Sequence, residues 1–308
     1  MKILGFGVAL LSVVALTGHA HAADKLVVGA VPAMANTVLY VAKDEKIFEK
    51  NGLDVEIVHS AGSAVVPGIV SGSMQLSIPA VPVLLQAIDN GLDLKIVSGL
   101  NVTSTSQLDF GVVVGNNSNI TSAKDYVGKT VATPNINGFT DLLFREWLKV
   151  HNVDPSKVTS VEVPFPQMGD VLRQGTVQAA QTLQPFMARM LVNNVGKLGP
   201  NYLEGLPDRL PVVFVAATNE WAKKNSDIID RFTTSLKEAL VVVEKDKDRA
   251  KATSNKYLKL PDDAKDQVPV PVYELTVNTD RLVYWINLMK SLSLVRTDMS
   301  PSKLIFQK

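Results

Sequence analysis

The sequence predicts two α/β lobes, the second inserted into the first, followed by a helical C-terminal segment. Two observations carry that expectation. Short β-branched apolar runs alternate with helix-period segments, the pattern of parallel strands joined by helices. The alternation comes as two consecutive series, and a strong apolar run at 212–218 suits a return crossing from the second to the first. The expected boundaries are 1–22 for an export leader, 23–112 with 214–308 for the first lobe, and 113–213 for the second.

Each element follows from a local pattern. Residues 25–30 read as the first strand, then a turn at 32–36 and one helix from Thr37 through Ile47 and Phe48 to the stop signal Asn51-Gly52. A strand at 54–59 precedes Ala61-Gly62-Ser63, where Ser63 is placed to cap a helix ending near Gly72. A short strand at 76–79, a helix at 82–90 closed by Gly91, and a strand at 94–99 complete the first series. The second has strands at 110–114, 130–133, 158–163 and 179–183, with helices at 139–151, 168–174 and after Pro185. The Asn-rich stretch 115–119 is expected to be the crossover, and the aperiodic Gly/Pro/Asn-rich stretch 193–211 a surface excursion. Beyond 218, Ile228, Phe232, Leu236, Leu240 and Val243 share one helical face, and no strand pattern remains.

Lys2, the apolar run 3–16 and Ala20-His21-Ala22 have the form of a secretory signal peptide with cleavage after Ala22. That implies an exported, soluble, periplasmic protein, and without a cysteine at the cut no lipid anchor is expected. Lys and Arg total 31 against 30 Asp and Glu, so no basic field favours nucleic acid or an anionic membrane. With 0 cysteines, disulfides, thiolate nucleophiles and cysteine metal sites are excluded. His59 and His151 are the histidines left after export. His59 and Ser60 should point to opposite faces of a strand, and His151 at a helix C-terminus suits the helix dipole. Gly128-Lys129-Thr130 lacks the upstream glycine of a phosphate loop, since Ala123 stands there. No metal site and no cofactor are expected.

The loops after the strands carry the distinctive chemistry, because ligands of open α/β sheets bind beyond strand carboxyl ends. These loops hold Met34, Asn36 and Thr37; Gly62 and Ser63; Asn135, Asn137, Gly138, Phe139 and Thr140; Phe165 and Gln167; and Gln184, with Val81 opening a helix on the same edge. They offer amides, hydroxyls, aromatics and helix N-termini but no Lys or Arg, so an anion would be held by N–H groups rather than by a countercharge. The same residues also serve as caps and turn formers.

Gly29-Ala30-Val31-Pro32, the run from Phe48-Glu49-Lys50-Asn51-Gly52-Leu53-Asp54-Val55, Gly62-Ser63, and Val127-Gly128-Lys129-Thr130-Val131-Ala132 resemble the solute-binding proteins of nitrate, sulfonate and taurine importers. That family also includes thiamine-precursor pyrimidine binders. The resemblance implies a type II periplasmic binding protein fold, hinged closure on a small ligand, and delivery to an ABC-transporter permease. Many relatives carry glutamate at the position of Gln184; the neutral side chain here favours an organic anion, a sulfonate or carboxylate. Met34 and the phenylalanines favour something larger than nitrate. The expected protein is thus a monomeric receptor rather than an enzyme. The rival is an enzyme on the same fold, such as a pyrimidine-forming one, or a binder of pyrimidine precursors. An enzyme would need a nucleophile, metal cluster or cofactor lysine in the cleft loops, and they contain none.

Overall fold

The computed structural model describes residues 23–307 apart from 261 and 263; the leader expected over 1–22 lies outside the described residues. The chain builds a first series of β1 (Asp24–Ala30), α1 (Thr37–Asp44), α2 (Ile47–Lys50), β2 (Leu53–His59), α3 (Val65–Val70), β3 (Leu76–Ser77), α4 (Val81–Asp89) and β4 (Leu94–Gly99). After β5 (Asn101–Val102) it builds a second: β6 (Phe110–Gly115), β7 (Thr130–Thr133), α5 (Phe139–Val150), β8 (Thr159–Glu162), α6 (Met168–Arg173), β9 (Ala179–Leu183), α7 (Phe186–Val192) and β10 (Gly196–Leu198). It then returns through β11 (Phe214–Thr218) to α8 (Asn219–Lys224), α9 (Ser226–Lys245), α10 (Lys247–Leu258), β12 (Val272–Tyr273), α11 (Thr279–Ser291) and α12 (Pro301–Leu304).

Two five-stranded sheets result, in the orders β2-β1-β3-β11-β4 and β10-β6-β9-β7-β8. Each has a parallel core, β1 with β2 and β3 in one, β7 with β8 and β9 in the other. Each also receives an antiparallel strand from chain that has just crossed over: β6 against β9, and β11 between β3 and β4. This is a two-lobed mixed α/β fold with a helical C-terminal segment, in which α9 covers the first sheet and stacks Phe232 on Phe48 at 5.4 Å.

Four local expectations need correction. The single helix expected from Thr37 is two, because Lys46 takes a left-handed conformation (φ 56°) that re-aims the following turn and buries Phe48 completely. The crossing lies in 100–109, ahead of β6, rather than at 112/113 or in 115–119. β6 pairs only with strands of the second sheet, and its five leading residues are all buried. The tail is not free of strands, since β12 pairs with β5 and Ile305 bridges Ile96.

Finally, 193–211 is no surface excursion. It contains β10 and buries Tyr202, Leu203 and Leu210, with the Tyr202 ring 5.8 Å from Phe144 and 6.0 Å from Phe110. The anchors come from turns, so no periodicity betrays them. The Tyr202 hydroxyl has no hydrogen-bond partner. Tyr202→Phe should therefore keep or raise the urea midpoint, whereas Tyr202→Ala should lower stability by about 3–5 kcal/mol.

Candidate functional site

A cavity of about 610 Å³ lies between the lobes, at the carboxyl ends of the parallel strands of both sheets. The first lobe contributes Ala33 and Asn36 after β1, His59 to Ser63 after β2, and Ile78 and Ala80 after β3. The second contributes Asn135, Gly138 and Phe139 after β7, Phe165 after β8, and Gln184 and Phe186 after β9. The crossing segments supply Asn101, Asp109, Val212 and Val213, and the first residue of β6 supplies Phe110. A second depression, of about 700 Å³, lies on the outer side of the second lobe near Asn116–Asn119 and Lys129. It sits at the amino ends of β7 and β9, away from the edge where α/β sheets hold ligands.

Of the residues singled out from sequence, Asn36, Gly62, Ser63, Asn135, Gly138, Phe139, Phe165 and Gln184 line the interlobe cavity. Six others are placed elsewhere. Met34 is buried in a cluster with Tyr40, Leu258 and Leu260, so it says nothing about ligand size. Thr37 is fully buried, donating to the Met34 carbonyl at 2.8 Å and accepting from the Ser254 hydroxyl at 2.8 Å. Val81 packs in the core with Leu84 and Leu85. Asn137 holds a left-handed turn (φ 62°), accepts from Arg145 at 3.0 Å and donates its N–H to Asp141 at 2.9 Å. Thr140 is buried 3.5 Å from the Thr133 hydroxyl, and Gln167 is exposed and does not line the cavity.

Ser63 caps no helix: α3 is preceded by a short 3₁₀ turn at Gly62–Ala64 that has no side-chain cap. α5 likewise starts behind Gly138 with no side-chain cap, so its first-turn N–H groups lack a side-chain acceptor. His59 and Ser60 both reach the cavity, because Ser60 lies past the end of β2 and the alternation of the strand no longer applies. The Tyr40 hydroxyl lies 3.0 Å from His59 Nε2, and burial lowers the imidazole pKa and favours the neutral ring. His151 instead donates Nδ1–H to the Trp147 carbonyl at 2.9 Å, at the end of α5.

The walls are aromatic. Phe110 and Phe139 meet edge to face at 5.1 Å, and Phe165 stacks on Phe186 at 5.4 Å. Among the described residues, no lysine or arginine lines the cavity. Sequence reasoning missed Asn101 and Asp109, the latter a lone carboxylate just ahead of an apolar strand and outside any motif. Its carboxylate accepts from Asn101 Nδ2 at 2.9 Å, and its carbonyl accepts from Gln184 N–H at 2.7 Å. Burial pushes its pKa up to about 7. Among the described residues, no group of three or more His, Asp or Glu could hold a metal ion.

Gln184 also turns its Oε1 to the Ala188 N–H at 3.1 Å, which leaves Nε2 as its available donor. The helix it begins is tied to the first lobe. Arg189 donates to the Leu258 and Lys259 carbonyls, both at 3.1 Å, and Met34 N–H reaches the Gln184 carbonyl at 3.4 Å.

The family model described as NMT1/THI5-like matches residues 34–250, which take in parts of both lobes and most of the residues that line the cavity. The chain belongs to the NMT1/THI5-like family. The family assignment and the fold agree with solved structures. The periplasmic aliphatic sulphonate binding protein SsuA from Escherichia coli superposes with a TM-score of 0.74 at 19% identity, covering 92% of this chain and 97% of that one. The alkanesulfonate-binding protein SsuA from Xanthomonas axonopodis pv. citri, bound to MOPS, gives 0.78 at 17% identity, covering 92% and 98%. The periplasmic nitrate-binding protein NrtA from Synechocystis gives 0.76 at 15% identity, covering 91% and 84%. In sequence, the chain is 27% identical over 199 residues to the bicarbonate transport ATP-binding protein CmpC of Synechocystis, 59% of this chain. The match spans only 30% of that relative's length.

Two outcomes follow for this NMT1/THI5-like cleft. Asp109 has a folded-state pKa near 7 against an ordinary 3.8, so the folded protein binds the extra proton between those values. Its contribution to stability is fully present below about pH 4 and is lost as pH rises toward 7, at up to about 1.4 kcal/mol per pH unit. Calorimetric melting should show Asp109→Asn falling less than the wild type between pH 5 and pH 8, and exceeding it at pH 8. Asn137→Ala should lower the denaturation midpoint by roughly 1 kcal/mol of stability, with Asn137→Gly closer to wild type because glycine accepts the left-handed turn.

Proposed function

We propose that the protein is the solute-binding component of an ABC importer, holding a small organic acid, a sulfonate or carboxylate, between its lobes and delivering it to a membrane permease. The carrying observation is the cavity itself, whose walls come from both lobes at the carboxyl ends of both sheets. A ligand there touches both bodies at once, so its binding energy favours the closed arrangement over the open one. The volume of about 610 Å³ suits a small molecule and exceeds the needs of a bare inorganic ion.

The acid group would be held without a cation, by the uncapped starts of the 62–64 turn and of α5 together with the Ser63 hydroxyl and Gln184 Nε2. The four phenylalanines would take the organic body. Asp109 does not bar such a ligand, because burial raises its pKa to about 7 and keeps part of it uncharged near neutral pH. The sulfonate- and nitrate-binding proteins of the same fold support this class of ligand. The reading includes export by the 1–22 leader with cleavage after Ala22, a periplasmic monomer, and no catalytic step of its own.

A thermal-shift screen of sulfonates, carboxylates and pyrimidines tests the ligand class. An acid ligand at 100 times its dissociation constant should stabilise the protein by about 2.7 kcal/mol. Small-angle scattering with the best acid should show a smaller radius of gyration. Hits confined to pyrimidines, or tight binding with an unchanged radius, would reject the acid reading or closure respectively.

A further inference from the structure

We propose that the ligand carries, besides its acid group, an N–H or O–H donor that Asn36, Asn101 and Asp109 hold at the inner corner of the cavity. The inference rests on the receptor reading above and deepens it, since it names a second group on the ligand.

The argument is one of unspent acceptors. Asn36 is 2% exposed, and its Nδ2 donates to the Val31 carbonyl at 2.6 Å. A carbonyl can only accept, so the amide orientation is fixed and Oδ1 is the atom left over, with no partner. Asn101 is 0% exposed and spends its Nδ2 on the Asp109 carboxylate, which again leaves Oδ1 without a partner. Both residues and Asp109 line the cavity.

Ser60 Oγ, on the same cavity wall, is likewise without a partner, whereas the two neighbouring tyrosines are engaged. Tyr40 lies 3.0 Å from His59 Nε2 and also meets the Asn36 side chain, and Tyr273 donates to the Met34 carbonyl at 3.1 Å. Backbone contacts draw these elements into one corner: Gln184 N–H on the Asp109 carbonyl, Met34 N–H on the Gln184 carbonyl, and Tyr273 paired in register with Asn101.

A buried amide oxygen without a donor is costly, and a donor on the ligand removes that cost on binding. The same oxygens repel an acid group. The acid is thereby directed to the N–H groups at the start of α5, along the wall formed by Phe110 and Phe139. One end of the cavity thus selects a donor, the other an acid, and the ligand has a single orientation.

Titration calorimetry on the wild-type protein with matched pairs tests this: benzenesulfonate against 4-aminobenzenesulfonate, benzoate against 4-aminobenzoate and 4-hydroxybenzoate, and propanesulfonate against 3-aminopropanesulfonate, with benzylamine as an acid-free control. The donor-bearing member should bind at least about tenfold tighter, about 1.4 kcal/mol, in at least one pair that binds. In Asn101→Leu and Asp109→Leu that ratio should collapse toward one, with melting curves confirming the fold and Lys129→Ala, at the outer depression of the second lobe, serving as a control that retains the ratio. Equal or tighter binding of the donor-free member in every pair overturns the proposal and leaves the acid reading standing. Binding of benzylamine alone overturns the acid reading and sustains the donor corner. Absence of binding by the whole panel rejects both.

Discussion

The two passages of the chain between the sheets pair with each other, and the rest of the molecule depends on that pairing. Val212 N–H donates to the Asn101 carbonyl at 3.0 Å, Thr103 N–H to the Leu210 carbonyl at 2.8 Å, and Leu210 N–H to the Thr103 hydroxyl at 2.9 Å. Val102 bridges Pro211, and the tail strand adds Val272 and Tyr273 to the same group. The backbone hydrogen bonds of both crossings are thereby satisfied at a point where a pair of loops would leave buried polar groups unpaired. Because the crossings are held side by side, the carboxyl ends of the two parallel cores face one another, and the space between them becomes the cavity.

The same pairing explains the chemistry of the inner corner. Asn101 lies in β5 and Asp109 just ahead of β6, so one crossing places an amide and a carboxylate against the cleft. Neither residue could sit there unpaired at low cost, and their mutual hydrogen bond is the partial solution. It leaves an acceptor surface in a cavity that is otherwise aromatic and, among the described residues, free of lysine and arginine. The cleft is therefore polarised by amide dipoles and helix starts rather than by full charges.

Contacts across the cleft favour the arrangement seen here. Arg189 on α7 reaches the carbonyls that end α10, and Ala188 packs into the cluster of Met34, Tyr40, Leu258 and Leu260. The contact is small, one guanidinium, the Met34 N–H on the Gln184 carbonyl and a few apolar side chains, so a ligand with several contacts to each lobe can decide the balance between open and closed. Structural relatives at 15–19% identity share the two-lobed frame, while the groups lining the cavity are those of this chain.

Sequence alone determined most of the frame, because strands and helices declare themselves by local periodicity. The runs that became β1, β4, β7 and β9 are legible, as are the stops at Asn51-Gly52 and Gly91, and loops after strands do line the interlobe cavity. Where the chemistry depended on one turn, the sequence was ambiguous: Asn137 and Asn135 stand two residues apart in the same polar loop, yet the left-handed turn sends Asn137 to Arg145 while Asn135 lines the cavity. Tertiary structure alone decided that Thr37 and Met34 face the tail, that Tyr202 anchors an aperiodic stretch, and that Asp109 enters the cleft. The physical reason is common to all of these. Periodicity records which side of an element is apolar, but side-chain direction in turns and the pairing of crossings more than a hundred residues apart arise only when the sheets have closed on each other.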